Sequence, residues 1–285
     1  MANDLTFKID IDQIIRSKMG SKAFLVPGFA KRWLKKTARQ DEVNQFLNEV
    51  GDLQGVPWLD AAVAFLQLKL RVHGINNLPD DSGGRLYTFV SNHPLGGPDG
   101  IALGKILGHH YNGRIRYLVN DLLMNLHGLA PLCVPINKTG KQSRDFPALV
   151  DAAFHSPNHI IMFPAGICSR CEKGIVHDVP WKKAFAGKSR ETHRGIVPIF
   201  FSGHNSKRFY RWANIGKHLG LKFNIAMLLL ADETFRHRGE SFDIYIGKPI
   251  PADEVAAYKS PQTLTRILED IVYKLPDGSE PDLIL

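Results

Sequence analysis

Cysteine is scarce, with three in 285 residues. An odd, small number in a chain of this length excludes a disulfide scaffold and points to a reducing compartment. Long hydrophobic runs are also missing. The strongest, residues 225–231 and 195–201, fall far short of the ~20 residues that a membrane-spanning helix needs. Residues 1–10 mix charges throughout and have neither the apolar stretch nor the small-residue cleavage site of a secretory signal. A cytoplasmic protein, soluble or peripherally attached to a membrane, is therefore expected. Acids are in deficit: 28 Asp+Glu against 36 Lys+Arg leave a net charge of +8. That surplus favours an anionic partner, whether nucleic acid, membrane surface or acidic carrier protein. Repeats and low-complexity tracts are absent. The remainder is ordinary globular composition, 44% hydrophobic and 22% charged, which excludes a mainly disordered chain.

Residues 1–72 carry helical punctuation. Asp10 is a capping-type acid, residues 41–50 place Val43, Phe46, Leu47 and Val50 at helical spacing, and residues 59–70 continue as a more apolar helix. Residues 76–84 are rich in turn formers and read as a loop. Beyond residue 85 short apolar runs alternate with helical stretches. The runs at 86–90, 115–119, 159–163, 195–200 and 242–246 predict strands, with helices at 101–107 and 144–155. Such alternation implies an α/β fold: a mostly parallel central sheet flanked by helices, preceded by a helical N-terminal region. The expected division is a helical region over 1–72 and an α/β domain over 73–285. Ligands of such sheets sit outside the carboxyl ends of the strands, so the turns there are where chemistry is expected.

One such turn stands out. The strand at 86–90 runs into Ser91-Asn92-His93-Pro94-Leu95-Gly96-Gly97-Pro98-Asp99-Gly100, and a helix follows. His93 and Asp99 flank a Gly-Gly bend, so the carboxylate can fold back onto the imidazole. A carboxylate on one ring nitrogen fixes the tautomer and leaves the other nitrogen as a general base. No Gly-x-Ser-x-Gly nucleophile elbow accompanies it. A base without a protein nucleophile suggests direct deprotonation of a substrate hydroxyl. The competing reading is a structural Asn-His-Pro turn with Asp99 as a helix cap.

Asn92-His93 followed by Asp99 resembles the Asn-His-x4-Asp signature of the glycerolipid and lysophospholipid acyltransferases. Further blocks appear in the family's order. Residues 163–170, Phe-Pro-Ala-Gly-Ile-Cys-Ser-Arg, are similar to its Phe-Pro-Glu-Gly-Thr-x-Ser. Residues 197–199, Val-Pro-Ile, are similar to its apolar-Val-Pro block, and residues 134–138, Val-Pro-Ile-Asn-Lys, fall at its apolar-Ile-Asp-Arg segment. The resemblance spans about residues 85–250 and is nearest to the bacterial haemolysin-like branch that acylates amino-acid-containing lysolipids. It implies His93 and Asp99 as catalytic residues. It implies Asn92, Gly96, Gly97, Lys138, Lys141, Arg144, Gly166, Ser169, Arg170 and Pro198 as substrate-binding residues. Three departures stand beside it. Five residues, not four, separate His93 from Asp99; glycine's tolerance of positive φ can absorb the extra one. Ala165 replaces a glutamate, and Lys138 replaces an arginine.

What the resemblance implies is an O-acyltransferase that moves a fatty acyl group from an acyl carrier protein or CoA thioester to a lysolipid hydroxyl. Oxyanion stabilisation would come from backbone N–H groups around Gly96-Gly97 or Gly166. No metal or organic cofactor is expected. The alternative is a non-catalytic lipid-binding protein of the same fold. Basic and aromatic residues mix at 21–36 and 207–218, as on an interfacial segment at the inner face of an anionic cytoplasmic membrane. The same mixing on a helix packed against the main domain is the competing reading. Without a helix-turn-helix, RNP or zinc-finger signature, nucleic acid is not an expected partner. Cys168-x-x-Cys171 with His177 lacks the four ligands of a structural zinc site. The acidic pairs Asp232-Glu233 and Asp253-Glu254 read as solvated loops or helix starts, and His109-His110 as a surface pair.

Overall fold

The computed structural model describes residues 8–119, 123–124, 126–135, 146–218, 225–276 and 278–285. Helix α1 (Ile11–Met19) begins where Asp10 accepts hydrogen bonds from Asp12 N–H and Gln13 N–H. Helices α2 (Gly28–Thr37) and α3 (Gln40–Val50) follow, and α3 buries Phe46, Leu47 and Val50 as its spacing predicts. Helix α4 (Val56–Phe65) stops short of expectation, and residues 69–70 belong instead to strand β1 (Lys69–His73). Gln67 takes a left-handed φ of 53° while Leu68 N–H reaches back to the Val63 carbonyl. That is a Schellman-type ending normally signalled by glycine, and the glutamine hides it.

The remaining elements, in chain order, are β2 (Tyr87–Ser91), α5 (Pro98–His110), β3 (Ile115–Val119), β4 (Cys133–Pro135), α6 (Phe146–His155) and β5 (His159–Met162). Then come β6 (Arg170–Glu172), β7 (Ile175–His177), α7 (Ala184–Glu191), β8 (Gly195–Phe201), α8 (Lys207–His218) and α9 (Ile225–Arg236). Strand β9 (Ser241–Ile246), α10 (Ala252–Ala257), α11 (Pro261–Lys274) and β10 (Leu283–Ile284) close the chain. The main sheet has the order β10-β1-β9-β8-β2-β5-β3-β4. Among the described residues of this sheet only the β1–β10 and β8–β9 pairings are antiparallel, and β6 and β7 form a separate antiparallel pair.

Both faces of the sheet are covered, and the strand sequences show why. Phe89, Ile161, Val197 and Ile199 join one buried cluster with Trp58, Leu59 and Val63 of α4 and Leu103 and Leu107 of α5. Their neighbours Val90, Ile160 and Ile196 join a second, with Phe185 of α7 and Leu264, Leu268 and Val272 of α11. Successive strand side chains point to opposite faces, so continuous apolar runs are what a doubly covered sheet demands. Burying each large apolar side chain contributes roughly 1.5–3 kcal/mol.

Candidate active site

Strands β8, β2 and β5 are neighbours, and their carboxyl ends converge on one place. Asn92, just past β2, is buried and ties that end to β8. Its Nδ2 donates to the Phe201 carbonyl at 2.9 Å, while its Oδ1 accepts from Phe201 N–H at 2.7 Å. The next residue, His93, is thereby set at the mouth of the sheet. Its ring stacks on Phe163 at the end of β5, with centroids 4.1 Å apart.

Asp99 meets the imidazole. Its Oδ2 lies 2.9 Å from His93 Nδ1 and also accepts Leu95 N–H and Gly96 N–H; Oδ1 accepts Gly100 N–H. A carboxylate already accepting two N–H bonds on that oxygen is an acceptor toward the ring, so Nδ1 carries the proton and Nε2 is the free nitrogen. Nε2 has no partner among the described residues, and the side chain keeps 17% exposure while Asp99 keeps none. The extra residue of the turn is absorbed at Gly96, whose φ is +87° and where a Cβ would strike Cys168 Sγ.

Electrostatics follow from this geometry. Burial alone would lower the His93 pKa, but the charge and hydrogen bond of Asp99 outweigh it and the net direction is upward. Burial pushes Asp99 up. The His93 charge and hydrogen bond, with the N–H groups of Gly96 and Leu95, outweigh it and hold the carboxyl below its ordinary range. The pair resists separation, and a base oriented in this way needs only a substrate proton in reach.

The 163–170 turn closes the other side. Ser169 N–H donates to the His93 carbonyl at 2.8 Å, and Ser169 Oγ donates to Asp178 at 2.5 Å. Arg170 is half-buried, with Nη1 on the Cys168 and Ser169 carbonyls and its guanidinium over the Phe209 ring. Gly166 has φ +73°, and a Cβ there would sit 3.2 Å from Lys182 Nζ. Ala165 is buried among Trp181, Phe185 and the second apolar cluster, so a carboxylate at that position would enter a dry pocket. Pro198 is buried inside β8 against Gly247. Lys138, Lys141 and Arg144, with residues 136–137, lie outside the described residues.

Two expectations change in detail. Gly96 N–H is spent on Asp99 and Gly166 N–H on the Phe163 carbonyl, so neither can face an oxyanion. Gly97 N–H has no partner among the described residues. The Asp232-Glu233 pair is not solvated but buried on α9. Asp232 binds Arg39, Arg208 and Arg236, and Glu233 binds Ser206 N–H and Oγ. Helix α9 in turn covers the turn that holds His93, because a Cβ at Gly97 would strike Thr234. His109 and His110 are exposed in the last turn of α5, and Asp253 and Glu254 open α10. Among the described residues the one cluster of three metal-type ligands is Asp151, His155 and Glu191. It does not include Cys168, Cys171 or His177.

Asp178 was invisible to sequence reasoning. It is a buried carboxylate whose oxygens accept His93 N–H, Ser169 Oγ and Trp181 Nε1. Its partners are scattered along the chain, and no spacing rule announces them.

Comparison with known proteins places the chain in a family. The family described as "Acyltransferase" matches residues 13–277. A lyso-glycine lipid O-acyltransferase of Phocaeicola vulgatus is 55% identical over 275 residues, covering 96% of this chain and 98% of the relative. A protein of the same name from Bacteroides thetaiotaomicron is 54% identical over 275 residues, with 96% and 100% covered. Among solved structures, the crystal structure of the 1-acyl-sn-glycerophosphate acyltransferase PlsC from Thermotoga maritima superposes with a TM-score of 0.50. It is 15% identical and covers 92% of each chain, a likeness in fold.

Proposed function

This chain belongs to the acyltransferase family and is a lysolipid O-acyltransferase, and from that premise we propose that its acceptor carries an anionic amino-acid headgroup. The acylated group is the hydroxyl on an amide-linked 3-hydroxy fatty acid, and glycine is the headgroup that the relatives' names favour. The donor is an acyl-CoA or acyl carrier protein thioester. The net charge of +8 favours the carrier protein, typically acidic, as the partner.

The observation that carries this reading is the His93–Asp99 pair at the ends of three strands, with Nε2 open. In the proposed reaction Nε2 takes the hydroxyl proton as the oxygen attacks the thioester carbonyl. The tetrahedral oxyanion then collapses, the C–S bond breaks, and the protonated imidazole returns its proton to the departing thiolate. Gly97 N–H is the backbone donor left for the oxyanion. Each step uses only protein groups and the two substrates, so no cofactor is invoked.

Acceptor choice is supported by the 163–182 segment. The buried methyl of Ala165 cannot accept a hydrogen bond from a glycerol hydroxyl. Lys182 Nζ lies over Gly166 without an ion-pair partner among the described residues, and a point-charge ammonium there suits a carboxylate headgroup. The test is a side-by-side acceptor assay, with N-(3-hydroxyacyl)glycine expected to exceed glycerol 3-phosphate and lysophosphatidic acid in kcat/KM.

We place the enzyme on the inner face of the cytoplasmic membrane. Among the described residues no helix is long and apolar enough to cross a bilayer. Phe24, Leu25, Phe29 and Trp33 are exposed beside Lys31, Arg32 and Lys36, as are Trp212 and Ile215 beside Arg211 on α8. Helices α2 and α8 both pack on α9, so the two patches flank one helix. The N-terminal region over 1–72, whose last residues form β1 of the main sheet, would serve this contact together with α8, and the remainder of 73–285 the chemistry. Sedimentation with anionic vesicles is expected at low salt and should weaken over the Debye-length range up to about 0.15 M ionic strength. Replacing Lys31, Arg32 and Lys36 with Gln should reduce it; Lys35 is left because it pairs with Asp12. Absence of binding at low salt would make the N-terminal segment purely structural.

A further inference from the structure

The backbone of His93 is held at both ends by two residues that also hold each other. His93 N–H donates to Asp178 at 3.2 and 3.3 Å, and the His93 carbonyl accepts Ser169 N–H at 2.8 Å. Ser169 Oγ closes the ring on Asp178 Oδ1 at 2.5 Å. Asp178 is itself anchored from outside the ring. Trp181 Nε1 donates to its Oδ2 at 2.9 Å, and its own N–H donates to the Tyr273 hydroxyl of α11 at 2.9 Å. The result ties together the β2 turn, the β5 turn, the segment before α7, and α11.

Packing alone gives no reason for a carboxylate here. Asp178 is 7% exposed, and burial raises its pKa despite the opposing hydrogen bonds of Ser169 and Trp181. An apolar side chain would orphan three buried donors, but a neutral amide would avoid the cost of a buried charge and still accept from most of them. The charge lies instead beside a ring that must gain a proton during the reaction proposed above.

We propose that Asp178 is a positioning residue for acyl transfer, which with Ser169 fixes the backbone of His93 and adds a second negative charge behind the imidazole. The claim rests on the general-base reading of His93. Asp99 from α5 and Asp178 both favour the protonated ring, whereas Arg170 from β6 opposes it. The groups around Asp178 are Ser169, Trp181, Tyr273 and Glu269 of α11, and His177 of β7. Removing the Asp178 charge therefore shifts His93 in one direction, toward easier deprotonation.

The test compares Asp178→Asn with Ser169→Ala in the full chain. Asp178→Asn keeps the shape but loses the charge and one acceptor. Its kcat is expected to fall about 10–100-fold, as for a small misplacement of a catalytic group, with KM for either substrate little changed. The acid limb of its kcat/KM profile moves to lower pH. Ser169→Ala opens the ring but keeps the charge, so kcat falls with the limb in place. NMR titration of histidine-labelled protein reads the His93 pKa without turnover and should show it lower in Asp178→Asn. An unchanged His93 titration in Asp178→Asn would overturn the electrostatic role, and wild-type kcat in Ser169→Ala would overturn the ring. If Asp178→Asn does not fold, Ser169→Ala alone decides the ring. Near-normal turnover in His93→Ala would be a different failure, that of the general-base reading itself.

Discussion

His93→Ala lowers the acyl-transfer rate by about 10²–10⁴-fold, the usual contribution of a positioned general base, while the protein stays folded. Both halves of that expectation come from the geometry. In the proposed reaction the ring acts outward through Nε2, and its burial is incomplete at 17% side-chain exposure. The turn keeps its shape through backbone links that alanine retains: the Ser169 N–H bond to the residue 93 carbonyl and the Asn92–Phe201 pair. The same account fixes a pH dependence. A base works unprotonated, and Asp99 raises the His93 pKa against the opposing pull of burial. Rate as kcat/KM therefore climbs with pH through a value above the ordinary 6.5 of histidine. Steady-state kinetics with circular dichroism on the variant checks the first claim. Near-normal turnover would remove His93 from the mechanism.

The largest effect on folding is expected far from that ring, at Arg194→Met. Arg194 is fully buried at the start of β8. Its guanidinium donates to the carbonyls of Phe154, Ser156 and Asn158 at 2.6–2.8 Å, closing the end of α6. Burial lowers its pKa to about 10, so it stays charged at neutral pH. A cation at a helix carboxyl end is favourable, but the greater loss on substitution is the set of carbonyls left without donors. An orphaned buried acceptor costs roughly 1–3 kcal/mol, so the variant should lose roughly 3–5 kcal/mol in total. Calorimetry should record a melting temperature lower by roughly 6–15 °C for a chain of this size. Lysine, with one point charge, should recover only part of it. A drop of less than about 2 °C would mean that water replaces the guanidinium.

How much of this was legible in the sequence depended on how locally each feature is encoded. The strands β2, β5 and β8 read correctly because a sheet covered on both faces writes continuous apolar runs, and β3 and β9 because their aromatic and branched residues stand out even around Arg116 and Asp243. The His93–Asp99 pair was legible because its partners share one turn and glycine announces the bend. Strand β1 was not, since Gln67 performs a helix ending that glycine usually marks. The burial of Asp232 was hidden because Arg39, which binds it, lies 193 residues away. Asp178 was hidden for the same reason: His93 is 85 residues away and Tyr273 is 95. Long-range polar ties leave no period in a sequence.

In the proposed reaction this enzyme transfers an acyl group directly from a thioester to the hydroxyl of a carboxylate-bearing lysolipid. The most direct test is the acceptor assay itself, with purified protein, one thioester donor, and thiol and ester both quantified. Thiol release is expected to require acceptor, to match ester formation one to one, and to give the highest kcat/KM with N-(3-hydroxyacyl)glycine. Thiol released without acceptor, or a preference for glycerol 3-phosphate, would contradict the account.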